Sequence, residues 1–171
     1  MKELYLDDAS TSKPFNQVID AMIPYYKKEF GNPSSPHELG ERAQKALNEA
    51  RKKIAKVINA KPWEIVFTSS VTEANNLALI GLAKKNKTGK ILISSIEHAS
   101  VVASCEYLRK LGYEIVKIPV NKEGFIDYNF LERNIRNAIM VSVQHANNVI
   151  GTIQDLEKIG NLCKKYNVQF H

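Results

Sequence analysis

The sequence predicts an α/β fold, a mainly parallel sheet with helices on both faces. Three observations predict it. Short runs rich in Ile and Val recur from residue 64 onward. Stretches of helical period separate them, and the connections are short, which suits strand–helix–strand crossovers.

The elements follow in order. After an extended start, ELYLDD, the segment from Pro14 to Phe30 carries Val18, Ala21, Met22, Tyr25 and Tyr26 at helical spacing, with Pro14 placed where a first turn tolerates it. GNPSSP at 31–36 is a cluster of turn formers. A second helix follows, because Leu39, Ala43, Ala46, Leu47, Ala50, Ile54 and Val57 form one apolar stripe opposite Lys, Arg and Glu, and it should end near Ile58. Strands are then expected at EIVFT (64–68), KILIS (90–94), YEIVKIP (113–119), AIMVSV (138–143) and VQF (168–170). Helices fill 72–84, 99–111, 128–136 and 155–166. With no repeat, low-complexity tract or interdomain linker, residues 1–13 read as an extended lead and 14–171 as one structural unit or part of one.

Composition narrows the class. The 171 residues are 44% apolar and 25% charged, as in an ordinary folded domain. The start lacks the apolar run of a signal peptide, and LALIGLA at 77–83 falls well short of the roughly 20 residues that span a bilayer. A cytoplasmic protein without a membrane partner is expected. The net charge of +6 comes from lysines at helix ends beside acidic residues, which reads as a solvated surface and not as a nucleic-acid face. Cys105 and Cys163 lie in helical patterns with neither a CxxC spacing nor a histidine cluster. They read as buried apolar side chains, and neither a metal site nor a catalytic thiol is expected.

In a parallel sheet the positions just after each strand carry the chemistry. EIVFT leads to SSVTEANNLAL, where Ser69, Ser70 and Thr72 open a helix. Free N–H groups there suit a phosphate, and the same hydroxyls also serve as plain caps. KILIS leads to SIEHASVV, which sets His98 at a helix start, either as a cap or as a flat ring able to stack on a planar ligand and exchange protons. AIMVSV leads to QHANNVIGTIQD, whose amides Asn147 and Asn148 serve a turn or a polar ligand.

Taken together, YLDDAST (5–11), FGNPSSPHELG (30–40), EIVFTSSVTEANNLAL (64–79), SIEHASV (95–101) and HANNVIGTIQD (145–155) resemble the NifS/IscS-type cysteine desulfurases of the class V aminotransferase family. The resemblance implies the large domain of a fold-type I transferase dependent on pyridoxal 5'-phosphate, with residues 14–171 as its N-terminal part. It implies that Val71 and Thr72 hold the cofactor phosphate. His98 would stack on the pyridine ring and serve in proton transfer, and Asn148 would lie near the cofactor's phenolic oxygen and the substrate carboxylate. The implied reaction converts L-cysteine to L-alanine, and the sulfur passes as a persulfide to a sulfur-acceptor scaffold protein for iron–sulfur cluster assembly or tRNA thiolation. A homodimer is implied too.

Some positions depart from the family pattern. Asp8 stands where an asparagine is usual, Ser70 where the SGATE turn has glycine, and Val149 where HxNNE has an acid. The family's pyridinium-pairing aspartate, Schiff-base lysine and persulfide cysteine would all follow His171. The chain alone is therefore expected not to desulfurate cysteine, and is read as a truncated piece, one half of a split enzyme completed by a complementary C-terminal half or full-length subunit, or a degenerate product. A non-catalytic binding or scaffold module in sulfur trafficking is the alternative.

Overall fold

The computed structural model describes residues 4–171. It divides into two compact units, one ending at Phe67 and one spanning Thr68–His171.

In the first unit, α1 (Asn16–Lys27) starts two residues after Pro14, behind Phe15, which gives no side-chain cap. Pro14 is thus outside the helix and not in its first turn. The lead is not wholly extended either: Ser10 N–H donates to the Asp7 carbonyl at 3.0 Å and the chain turns around Asp8. Residues 1–3 of that lead lie outside the described residues. α2 (Glu38–Val57) has the expected length, capped by His37, whose Nδ1 accepts from Gly40 N–H at 3.3 Å. The preceding GNPSSP loop folds back on this helix start. A Cβ on Gly31 would run into the Leu39 backbone and one on Gly40 into that of Ser35, so both glycines are demanded by close backbone approach.

EIVFT is not a strand. Pro62–Glu64 forms a 3₁₀ turn, residues 65–68 are unpaired, and Val66 and Phe67 are exposed. An alternating apolar run becomes a strand only where a neighbour takes its N–H and C=O groups, and no described strand pairs with this one.

The second unit holds the sheet: β1 (Lys90–Ser94), β2 (Glu114–Ile118), β3 (Ala138–Ser142) and β4 (Gln169–Phe170), all parallel, in the order β2-β1-β3-β4. Around it lie α3 (Val71–Asn86), α4 (Ala99–Lys110), α5 (Tyr128–Asn134) and α6 (Leu156–Tyr166). Strand pleating sends alternate side chains to opposite faces. Ile91 and Ile93 of β1 join Leu79 and Ala83 of α3 and Val101, Cys105 and Leu108 of α4 in one core. Leu92, between them, joins Leu131 of α5 and Ile159 and Cys163 of α6 in the other. Helices therefore cover both faces. Polar groups that reach this interior are paired: the Tyr113 hydroxyl donates to the Ala83 carbonyl at 2.8 Å. Among the described residues, no helix is long and apolar enough to cross a membrane.

Candidate functional site

The strand order locates the site. From β1 the chain crosses over α4 to β2 on one side; β3 then lies on the other side of β1, and α6 leads outward to β4. Because α4 and α6 cover opposite faces, the loops after β1 and β3 part at their carboxyl ends, and the crevice between such loops is where open parallel sheets bind ligands.

Three segments meet there. The first is the start of α3. Ser70 is its N-cap, with Oγ accepting from Glu73 N–H at 3.2 Å, while the Glu73 carboxylate reaches back to Ser69 N–H at 2.6 Å and Ser69 Oγ at 2.7 Å. The hydroxyl and backbone bonds from Ser69 hold that carboxyl below its usual range. Among the described residues nothing accepts from the N–H groups of Val71 and Thr72 or from the Thr72 hydroxyl, so an exposed cluster of donors faces outward at the positive end of a 16-residue helix. Ser70 has φ of −164°, ordinary extended backbone, so a side chain replaces the family's glycine there without strain. Ser70→Ala is expected to cost about 1 kcal/mol and Ser70→Gly only a few tenths, as urea midpoints would show.

The second segment follows β1. His98 caps α4, exposed at its start, with Nδ1 3.2 Å from Ser100 N–H and 2.7 Å from Ser100 Oγ. The Ser100 hydroxyl also accepts from the amide of Asn75 in α3 at 2.7 Å, which ties the first two segments together. The third segment follows β3. There the two amides divide the work. Asn147 holds the loop: its Oδ1 accepts from Val149 N–H at 2.9 Å and Ile150 N–H at 3.0 Å, and its Nδ2 donates to the Ile96 carbonyl at 3.0 Å. Asn148 is exposed, and among the described residues only its Oδ1 is engaged, by Gln144 at 3.2 Å. Its amide N–H groups remain available as donors. Val149 contributes its backbone to this loop while its side chain is 80% exposed, so the loop closes without the acid of the usual pattern.

Glu97 links the loops after β1 and β3. Its Oε1 accepts from Gln144 N–H at 2.6 Å, and burial lifts its carboxyl to about 7 against the pull of that bond and of the His98 backbone. Sequence reasoning singled out neither Glu97 nor Asn75 and Ser100; a carboxylate three residues after a buried strand was the available signal. The residues that it did single out, Val71, Thr72, His98 and Asn148, sit on these three linked segments. Burial pushes the thiols of Cys105 and Cys163 up to about 11, so neither is poised as a nucleophile. Among the described residues no group of His, Cys, Asp and Glu side chains is gathered as a metal site.

Comparison with known proteins settles the family. The pattern described as aminotransferase class-V matches residues 4–171. The chain belongs to that family. Within the class-V aminotransferases it is similar to the cysteine desulfurase IscS of Dictyoglomus turgidum, 46% identical over 99% of this chain and 44% of that protein. It is also similar to cysteine desulfurase IscS 1 of Archaeoglobus fulgidus, 51% identical over 92% of this chain and 42% of that protein. Among solved structures it superposes on a NifS-like protein with a TM-score of 0.92 at 33% identity, over 96% of this chain and 46% of the other. It superposes on the apo cysteine desulfurase of Thermococcus onnurineus with 0.88 at 35% identity, over 96% and 42%. The chain thus spans less than half the length of the relatives that it matches.

Proposed function

We propose that this chain supplies the phosphate-holding and ring-facing part of a cysteine desulfurase dependent on pyridoxal 5'-phosphate. The observation that carries the reading is the outward cluster of unpartnered donors at Val71 and Thr72, tied through Asn75 and Ser100 to His98. A phosphate dianion suits those N–H groups and the Thr72 hydroxyl, with the helix dipole behind them; Glu73 turns its charge onto Ser69 and leaves them unblocked. The donor set fits the cofactor.

In this reading Val71 and Thr72 anchor the phosphate, and the His98 imidazole lies against the pyridine ring and carries protons. The free amide of Asn148 donates to the phenolic oxygen and to the carboxylate of L-cysteine. The bound cofactor supplies an electron sink for the bonds around the substrate's α-carbon. The product is L-alanine, and the sulfur goes to an acceptor scaffold protein for iron–sulfur clusters or tRNA thiolation. Residues 14–171 form the N-terminal part of the cofactor domain, preceded by the segment 1–13. The lysine, aspartate and persulfide cysteine implied by the resemblance belong to the part of the relatives' length that this chain does not span, and the assembly is a cytoplasmic homodimer.

Two experiments test this. In a fluorescence titration of the chain, pyridoxal 5'-phosphate binds and phosphate-free pyridoxal does not, and Thr72→Ala weakens binding about tenfold, the loss of one charge-assisted hydrogen bond. Mixing with a polypeptide that continues beyond His171 yields alanine from cysteine. Equal binding of both pyridoxal forms, and no alanine from the mixture, would leave a scaffold role in sulfur trafficking as the better account.

A further inference from the structure

The two asparagines of ANNLAL make their contacts within the protein. Asn75 and Asn76 lie on α3 with their side chains turned toward α4. Asn75 is nearly buried and donates to Ser100 Oγ at 2.7 Å. Asn76 donates to the Thr72 carbonyl at 2.8 Å, and the one hydroxyl proton of Ser104 is shared between Asn76 Oδ1 at 3.0 Å and the Ser100 carbonyl at 2.8 Å. A polar seam thus runs between two otherwise apolar helix faces, where buried amides and hydroxyls are tolerated only when paired.

The direction of each bond in the seam is determined by what its atoms can do. Asn75 Nδ2 is a donor only, so one lone pair of Ser100 Oγ is taken. Ser100 N–H points at His98 Nδ1, and that nitrogen must then be the acceptor. The Ser100 hydroxyl, 2.7 Å from the same nitrogen, directs its own proton there. Two donors converge on Nδ1, and the proton of the neutral ring is left on Nε2.

The geometry points to Asn75 and Ser100 as positioning residues that hold His98 in one tautomer and one ring orientation, with Nε2–H as its free donor. The inference rests on the reading of His98 as the residue that faces the cofactor ring, but its test needs no cofactor. A histidine that must lie flat against a ring and exchange a proton at one nitrogen gains from being fixed before the ligand arrives, because the ordering is then not charged against binding.

The relay can be reversed. In Asn75→Asp the new carboxylate accepts where the amide donated; it draws the Ser100 hydroxyl proton to itself and leaves Oγ an acceptor for Nδ1–H. The measurement is a long-range 1H–15N correlation spectrum of the imidazoles in the chain, above the pH range where imidazole is protonated, with His98 assigned by loss of its signals in His98→Gln. The parent protein is expected to show a pyridine-type shift at Nδ1 and a pyrrole-type shift at Nε2. Ser100→Ala leaves the backbone N–H of residue 100 as a donor to Nδ1 and moves both shifts partway toward the averaged values of a mixture, Ser100→Thr restores them, and Asn75→Asp moves Nδ1 partway toward the pyrrole type against that N–H. Should Asn75→Asp not fold by circular dichroism, the Ser100 pair decides. Averaged shifts in the parent, or a Nδ1 shift unmoved by Ser100→Ala, overturns the relay.

Discussion

Stability of this fold is expected to fall as pH rises from 4.5 to about 7, and Glu97→Gln is expected to remove most of that slope. The carboxyl is raised first of all by burial, so the native state keeps its proton where the unfolded chain has lost it. Below 4.5 both states are protonated and the contribution is complete; through the interval it drains away; above about 7 both are ionised and nothing further is lost. The full span corresponds to about 3 kcal/mol, and partial hydration of the side chain brings the expected loss to about 2 kcal/mol. Glutamine keeps an oxygen for Gln144 N–H without the charge. At pH 8 the variant should therefore be the more stable protein, and at pH 4.5 the two should be close. Urea unfolding across this range is the measurement. Parallel pH curves for parent and variant would show that Glu97 is hydrated enough to ionise freely.

Leu92→Ala is expected to cost about 3–4 kcal/mol, because the side chain is fully buried in β1 among Ile118, Leu131, Val141 and Ile159 and the surrounding elements can close only part of the resulting cavity. Its counterpart is Val66→Ala, in the run that reads as a strand but is unpaired. There the side chain is 66% exposed, and the change should stay within about 0.5 kcal/mol. Guanidinium unfolding followed by far-ultraviolet dichroism compares the two. A cost at Val66 approaching that at Leu92 would mean that the EIVFT run is packed as a core strand in solution.

This contrast marks the boundary of what is legible in a sequence. The stretches 90–94 and 99–110, the expected KILIS strand and the helix after it, carry their assignment in their own residues. One is a short β-branched apolar run; the other has apolar positions at helical spacing and a capping side chain ahead of it. EIVFT carries the same local signal as KILIS, yet only KILIS meets neighbours on both sides. Propensity lies within a segment, whereas a strand requires a partner elsewhere, and that second condition is written nowhere in the run itself.

The site divides in the same way. Ser70, Thr72, His98 and Asn148 were recognisable because hydroxyls, a histidine and amides stand directly after strands or at helix starts, where backbone donors are left unpaired. By itself the sequence determined the α/β class, the order of its elements apart from EIVFT, and the residue types at the mouth of the sheet, since these follow from period and capping within a few residues. Only the tertiary structure decided that Asn75 reaches Ser100 across 25 positions, that Glu97 meets Gln144 across 47, and that Asn147 builds the loop while Asn148 is left free. Those pairings depend on which helix lands on which face of the sheet, and burial then makes each polar group find a partner that sequence distance does not reveal.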